Sequence, residues 1–103
     1  MAEPGLRIVE GSALTAAQKK DLLNRLARIE GQLRGVQKLV AMAADSSDCD
    51  AVAQQMAAAR KALDRCFIQL IAGSVRTQTE NAPGLEEAKA SAAHLAALLE
   101  KFA

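Results

Sequence analysis

In the stretch DLLNRLARIEGQLRGVQKLV, residues 21–40, the apolar residues Leu22, Leu26, Ile29, Leu33, Val36 and Val40 recur at alternating steps of four and three. That is the period of one face of an α-helix. Upstream, Thr15 followed three residues later by Gln18 has the form of a capping box, so a first helix is predicted over about 16–44. The cluster Asp45-Ser-Ser-Asp48 interrupts it, and Ser47 with Asp50 offers an N-cap and a negative first turn for a second helix. Val52, Met56, Ala59, Leu63, Cys66, Leu70 and Ser74 then carry the helical period through about 48–78. Asn81, Pro83 and Gly84 mark a turn. Beyond it Leu85, Ala88, Ala92, Leu95, Leu99 and Phe102 form a third stripe, predicting a helix over about 82–102. The expected fold is all-α, with three helices per chain. Residues 1–14 mix Pro4, Gly5, Gly11 and Ser12 without a period and read as a flexible tail before a single domain over 15–103.

Length turns this pattern into an argument for assembly. A helix of about 30 residues is about 45 Å long, whereas a compact chain of about 100 residues has a radius of gyration near 13 Å. One short third helix cannot cover two such helices. The apolar stripes are most simply buried against another copy, as an antiparallel helical dimer or a larger even oligomer. A coiled-coil scaffold with no other activity fits the patterning too.

The composition narrows the class. The chain has 103 residues, half of them hydrophobic, with two aromatics, Phe67 and Phe102, and no Trp or Tyr. Such Ala- and Leu-rich chains suit closely packed helices. No apolar run approaches the roughly 20 residues that span a bilayer, and no signal-peptide layout opens the chain, so a cytoplasmic protein without a membrane partner is expected. Two cysteines outside any disulfide framework fit a reducing compartment. The net charge of +1 conceals an asymmetry: residues 19–76 hold ten Lys or Arg against six acids, and residues 77–103 hold two against four.

The cationic residues fall in two clusters. Arg25 and Arg28, extended by Lys20, Arg34 and Lys38, lie on the first helix, and Arg60, Lys61 and Arg65 on the second. Guanidinium groups suit phosphates and guanine edges, although long Arg side chains are also common on solvated faces. With no helix-turn-helix spacing, zinc-finger pattern or aromatic platform, any DNA contact would come from helix faces displayed by an oligomer. Gly31 and Gly35, one turn apart, each cost a helix about 1 kcal/mol relative to Ala and suggest close approach by a neighbouring helix.

Cys49 falls in the first turn of the second helix, where backbone N–H groups and the helix dipole favour a thiolate, opposed by Asp48 and Asp50. Cys66 lies in the apolar seam between Leu63 and Leu70, where cysteine acts as a small hydrophobe. Seventeen residues, about 26 Å of helix, separate the two thiols, so one chain cannot join them in a disulfide or a metal site. His94 is the single histidine and reads more readily as a filler beside Leu95 than as a ligand. An enzyme is not expected, since no base accompanies Cys49 and neither a phosphate loop nor a carboxylate pair is present.

The string Arg28-Ile-Glu-Gly-Gln-Leu-Arg-Gly35, Cys49, and the segment from Gln55 to Leu63 resemble the CsoR/RcnR/FrmR family of small bacterial transcriptional repressors. The resemblance covers about residues 16–102. It implies all-helical dimers that pair into tetramers, bind a G-tract operator of inverted-repeat character, and leave it when an inducer modifies or ligates the cysteine. Arg25 and Arg65 match the family's DNA-contacting arginines. In copper-sensing members the cysteine meets a His and a Cys of the other subunit, 25 and 29 residues further on. Here those positions hold Ser74 and Gln78, poor donors for Cu(I), which prefers thiolate and imidazole. Nickel and cobalt sensors need histidines that this chain lacks. Persulfide sensors keep a cysteine where Gln78 stands, and formaldehyde sensors use an N-terminal proline whose counterpart here is near Ala13.

The expectation is therefore a homotetrameric repressor that binds double-stranded operator DNA through Lys20, Arg25, Arg28, Arg60 and Arg65 and is released when a small inducer modifies Cys49. The inducer would be an electrophile, an oxidant or reactive sulfur, with no cofactor required. Two alternatives stand beside it. One is a metal-responsive repressor taking Cu(I), Ni(II) or Zn(II) at an unconventional site around Cys49, with Ser74, Gln78 or His94 contributing. The other is a helical scaffold without DNA affinity.

Overall fold

The computed structural model describes residues 6–103, so the first five residues of the expected tail lie outside the described part. Three helices follow one another: α1 (Ala16–Met42), α2 (Ser46–Asn81) and α3 (Leu85–Phe102), with no strand among the described residues. The chain is all-α, as its periodicity predicts.

Local chemistry sets the ends of these helices. Thr15 caps α1 as expected: its hydroxyl accepts from the Gln18 amide at 3.1 Å, and the Gln18 side chain accepts from the Thr15 amide at 2.7 Å. The start of α2 differs from expectation, because Asp45 and not Ser47 is the N-cap. The Asp45 carboxylate accepts from the Asp48 amide at 3.0 Å and from the Ser47 hydroxyl at 2.8 Å, and Asp48 returns the bond to the Asp45 amide at 3.3 Å. A carboxylate that can serve both donors wins the cap over a hydroxyl, and α2 begins two residues early. These bonds hold the Asp45 carboxyl below its ordinary value, chiefly through the Asp48 amide. At the other end α2 runs three residues past its predicted limit, until Ala82 turns extended ahead of Pro83. Residues 82–84 stay outside α3, which starts after the extended Gly84.

α1 lies against α2 and α2 against α3, with no contact between α1 and α3. The seam of the α1–α2 hairpin uses every second apolar position of each stripe. Ile29 and Val36 from α1, and Ala59, Cys66 and Ser74 from α2, are buried, with Gly73 buried beside Ser74. Small residues on α2 allow the two backbones to approach, and α1 supplies the bulk. The alternate positions, Leu26, Leu33, Val40, Met56, Leu63 and Leu70, remain exposed. A single chain thus buries half of each stripe. Its radius of gyration of 17.9 Å and its 13 Å shortest dimension describe a flat layer and not a closed core. α3 returns along α2, burying Leu95 and bringing Phe102 edge-on to Phe67 at 6.4 Å between ring centres.

A side chain at Gly31 or Gly35 would meet open space within the chain, so no helix of the same chain approaches there. The close approach is at Gly73, where a Cβ would lie 3.4 Å from Leu14 and 3.5 Å from the Gln18 side chain. The segment before α1 also bonds to the first turn of that helix. Glu10 accepts from the Ala16 amide at 2.7 Å, and the Lys19 ammonium donates to the Val9 carbonyl.

Candidate nucleic-acid interface

The two flanks of the α1–α2 seam differ in chemistry. On one flank a hollow is lined by Arg25, Arg28 and Gln32 of α1 and by Ala62, Arg65 and Cys66 of α2, with Ile29 at its floor. Three of the five predicted cationic residues, Arg25, Arg28 and Arg65, thereby come together across two helices. The i, i+3 spacing of Arg25 and Arg28 places both on one side of α1, and the antiparallel turn brings Arg65 opposite. Lys20 is exposed but does not line this hollow. Arg60 does not join it either. It borders the other flank, with Leu33, Val36, Met56, Ala59 and Leu63, because it lies five residues from Arg65, about 140° away around α2.

Arg25 differs from its two neighbours in being oriented. Its Nε donates to Asp21 Oδ2 at 3.0 Å, and the same oxygen accepts from Gln69 Nε2 of α2 at 3.4 Å. Both members of this ion pair are well exposed, so it contributes little to stability, about 0.3–0.5 kcal/mol for such an i, i+4 pair. Arg28 and Arg65 have no carboxylate partner among the described residues. Asp21 and Gln69 escaped the sequence reading as site residues. The Asp21-to-Arg25 spacing of four was the available signal, whereas Gln69 is found only by folding α2 onto α1.

Beyond Asp21 the same flank continues into a second hollow lined by Gln18, Asp21, Gln69, Gly73 and Arg76. Here Gln69 Oε1 is buried without a donor among the described residues. Next to it Thr77, 2 % exposed, donates to Gln18 Oε1 at 2.9 Å, and Gln18 Nε2 reaches the Gly73 carbonyl at 3.5 Å. One glutamine side chain therefore caps α1 and ties it to α2.

The proposed sensing residues are scattered within one chain. Cys49 is exposed in the first turn of α2, its amide already donating to the Asp45 carbonyl at 3.2 Å. Ser74 is buried and accepts from Gln78 Nε2 at 2.6 Å, about 37 Å of helix away from Cys49. His94 is exposed on α3. Cys66 is 5 % exposed at the floor of the arginine hollow. Among the described residues no group of three His, Cys, Asp or Glu side chains gathers to hold a metal ion.

A family model described as metal-sensitive transcriptional repressor matches residues 18–102, which take in all but the first two residues of α1 and the whole of α2 and α3. The chain belongs to that family. Comparison with curated proteins and with solved structures gives no match. Membership places the chain among transcriptional regulators, in line with the motifs read from the sequence, and no helix of the described part is long and apolar enough to cross a membrane. The family description also implies a metal effector, and the donors of this repressor do not fit one within a chain. Cys49 is a single thiol, and the hydroxyl and carboxamide of Ser74 and Gln78 are hydrogen-bonded to each other and are poor donors for a soft ion.

Proposed function

We propose that this repressor binds double-stranded operator DNA as a homotetramer and is released by covalent modification of Cys49. The observation that carries the DNA reading is the convergence of Arg25, Arg28 and Arg65 on one flank of the α1–α2 hairpin. Three guanidinium groups with few acids beside them form a surface suited to phosphates and guanine edges. The assembly reading is supported by the half of each apolar stripe left exposed on the other flank, which a second copy would bury. Lys20 would extend the cationic surface at the rim.

Cys49 is the sensing atom in this reading because it is the exposed thiol of the two. An electrophile would form a bond to Sγ with loss of the thiol proton, and the adduct would disturb the pairing of α2 with its counterpart in the partner subunit. Moving occupancy from 99:1 to 1:99 requires the adduct to favour the released form by about 5.5 kcal/mol. The family description favours a second reading, in which a metal ion ligated by Cys49 and by groups of another subunit is the inducer.

Fluorescence anisotropy of the reduced protein on DNA from upstream of its own gene, with Cu(I), formaldehyde or a persulfide donor added separately, tests both. Binding released by one additive is expected. Cys49→Ser is expected to keep DNA affinity and lose the response. A mutant that loses DNA affinity would remove the sensing assignment, and absence of binding by the parent protein would remove the operator reading.

A further inference from the structure

Asp21 stands where a DNA-binding surface would least tolerate it, between the arginine hollow and Arg76 on the same flank. A carboxylate there repels phosphates and offsets part of the attraction of Arg25. Its geometry supplies a reason for its presence. The bond from Arg25 to Asp21 runs through Nε, which leaves both terminal amino groups of the guanidinium free as a fork. That fork matches the O6 and N7 acceptors of guanine in the major groove. An arginine unsupported by such a bond must be ordered from many rotamers on binding, and against a phosphate the exact rotamer matters little. Asp21 is itself braced from the other helix by Gln69 Nε2 at 3.4 Å, so the orientation of Arg25 is fixed to the hairpin and not to α1 alone.

We infer that Asp21, braced by Gln69, is a positioning residue that sets Arg25 to read a guanine edge, while Arg28 and Arg65, which have no carboxylate partner among the described residues, hold phosphates. This rests on the operator reading above. Asp21 weakens binding to DNA in general and sharpens the choice of sequence.

The test is anisotropy of the full-length protein on a duplex from upstream of its own gene, with guanines replaced in turn by 7-deazaguanine. That base lacks the N7 acceptor and leaves every phosphate in place. The parent protein is expected to lose about tenfold in affinity at one replaced guanine per half-site, within the range of a bidentate base contact. Asp21→Ala is expected to lose about half of this sensitivity, as suits an exposed ion pair, while binding a random duplex more tightly, since a negative charge has gone. Asp21→Asn keeps an acceptor for Nε and is expected to keep the sensitivity, which separates position from charge. Arg25→Ala leaves no donor to reach N7 and is expected to lose the sensitivity at that guanine together with part of the overall affinity. Full N7 sensitivity in Asp21→Ala, or a parent protein that binds but ignores every 7-deazaguanine, overturns the positioning role and leaves the operator reading standing. A parent protein that binds no duplex at low salt overturns both.

Discussion

The two flanks of the α1–α2 seam share a floor at Ile29 yet present opposite chemistry. One gathers Arg25, Arg28 and Arg65 around Cys66, and the other exposes Leu33, Met56 and Leu63 with Arg60 at the border. The first can be solvated as it stands and needs an anionic partner only to act. The second leaves large side chains in water, and only another apolar surface relieves that cost. A thin two-helix layer can separate the two tasks, because the helical period holds Arg25, Arg28 and Arg65 on one side of the seam and Leu33, Met56 and Leu63 on the other.

The largest effect is expected on the apolar flank. Leu63→Glu places a carboxylate where a second copy would exclude water, and an unpaired buried charge costs several kcal/mol. Sedimentation should show the assembly reduced to monomers with a lowered melting temperature; an unchanged mass would mean that this flank does not assemble. Next comes the cationic flank. Arg65→Ala should weaken DNA binding by about tenfold or more, within the roughly 1–3 kcal/mol of a good base contact or the loss of a phosphate contact. The circular dichroism should be unchanged, since the arginine has no ion-pair partner among the described residues. Equal affinity would reduce this flank to a solvated surface.

At the end of the seam, Thr77→Val removes the hydroxyl that donates to Gln18 Oε1 at 2.9 Å. A loss of about 1 kcal/mol is expected in denaturant melts, the usual net worth of such a bond, with DNA affinity little changed. The smallest effect tests what covers the hairpin. Gly35→Ala should stabilise α1 by up to about 1 kcal/mol through helix propensity, because beyond the adjoining turns of its own helix no atom of the described residues stands within 4 Å of the added methyl. Destabilisation in the assembled protein would show that a partner's backbone rests on that glycine.

How much could be read without the structure differs from element to element. Thr15 and Gln18 announced the start of α1 correctly because a capping box is a local pattern closed within four residues. The start of α2 was misplaced because three adjacent residues, Asp45, Ser46 and Ser47, could each have served as the cap. Only the reciprocal bond of Asp48 selects Asp45. Arg25 and Arg65 were legible from their motifs, and the hollow brings them together, whereas Arg60 carried the same charge and faces the other way. For Gly31 and Gly35 the spacing shows that a backbone is bare but not which neighbour uses it, and no helix of the same chain does.

The sequence by itself determined three helices, their apolar stripes, the basic character of the first two and the position of one cysteine at a helix start. All of these follow from patterns with a period of a few residues. Tertiary structure alone decided which half of each stripe is buried in the hairpin, which arginines meet across the seam, and that Gln69 of α2 braces Asp21 of α1. Those pairings depend on the rotation of one helix against another, which small residues at Ala59, Cys66 and Gly73 fix by letting the backbones close.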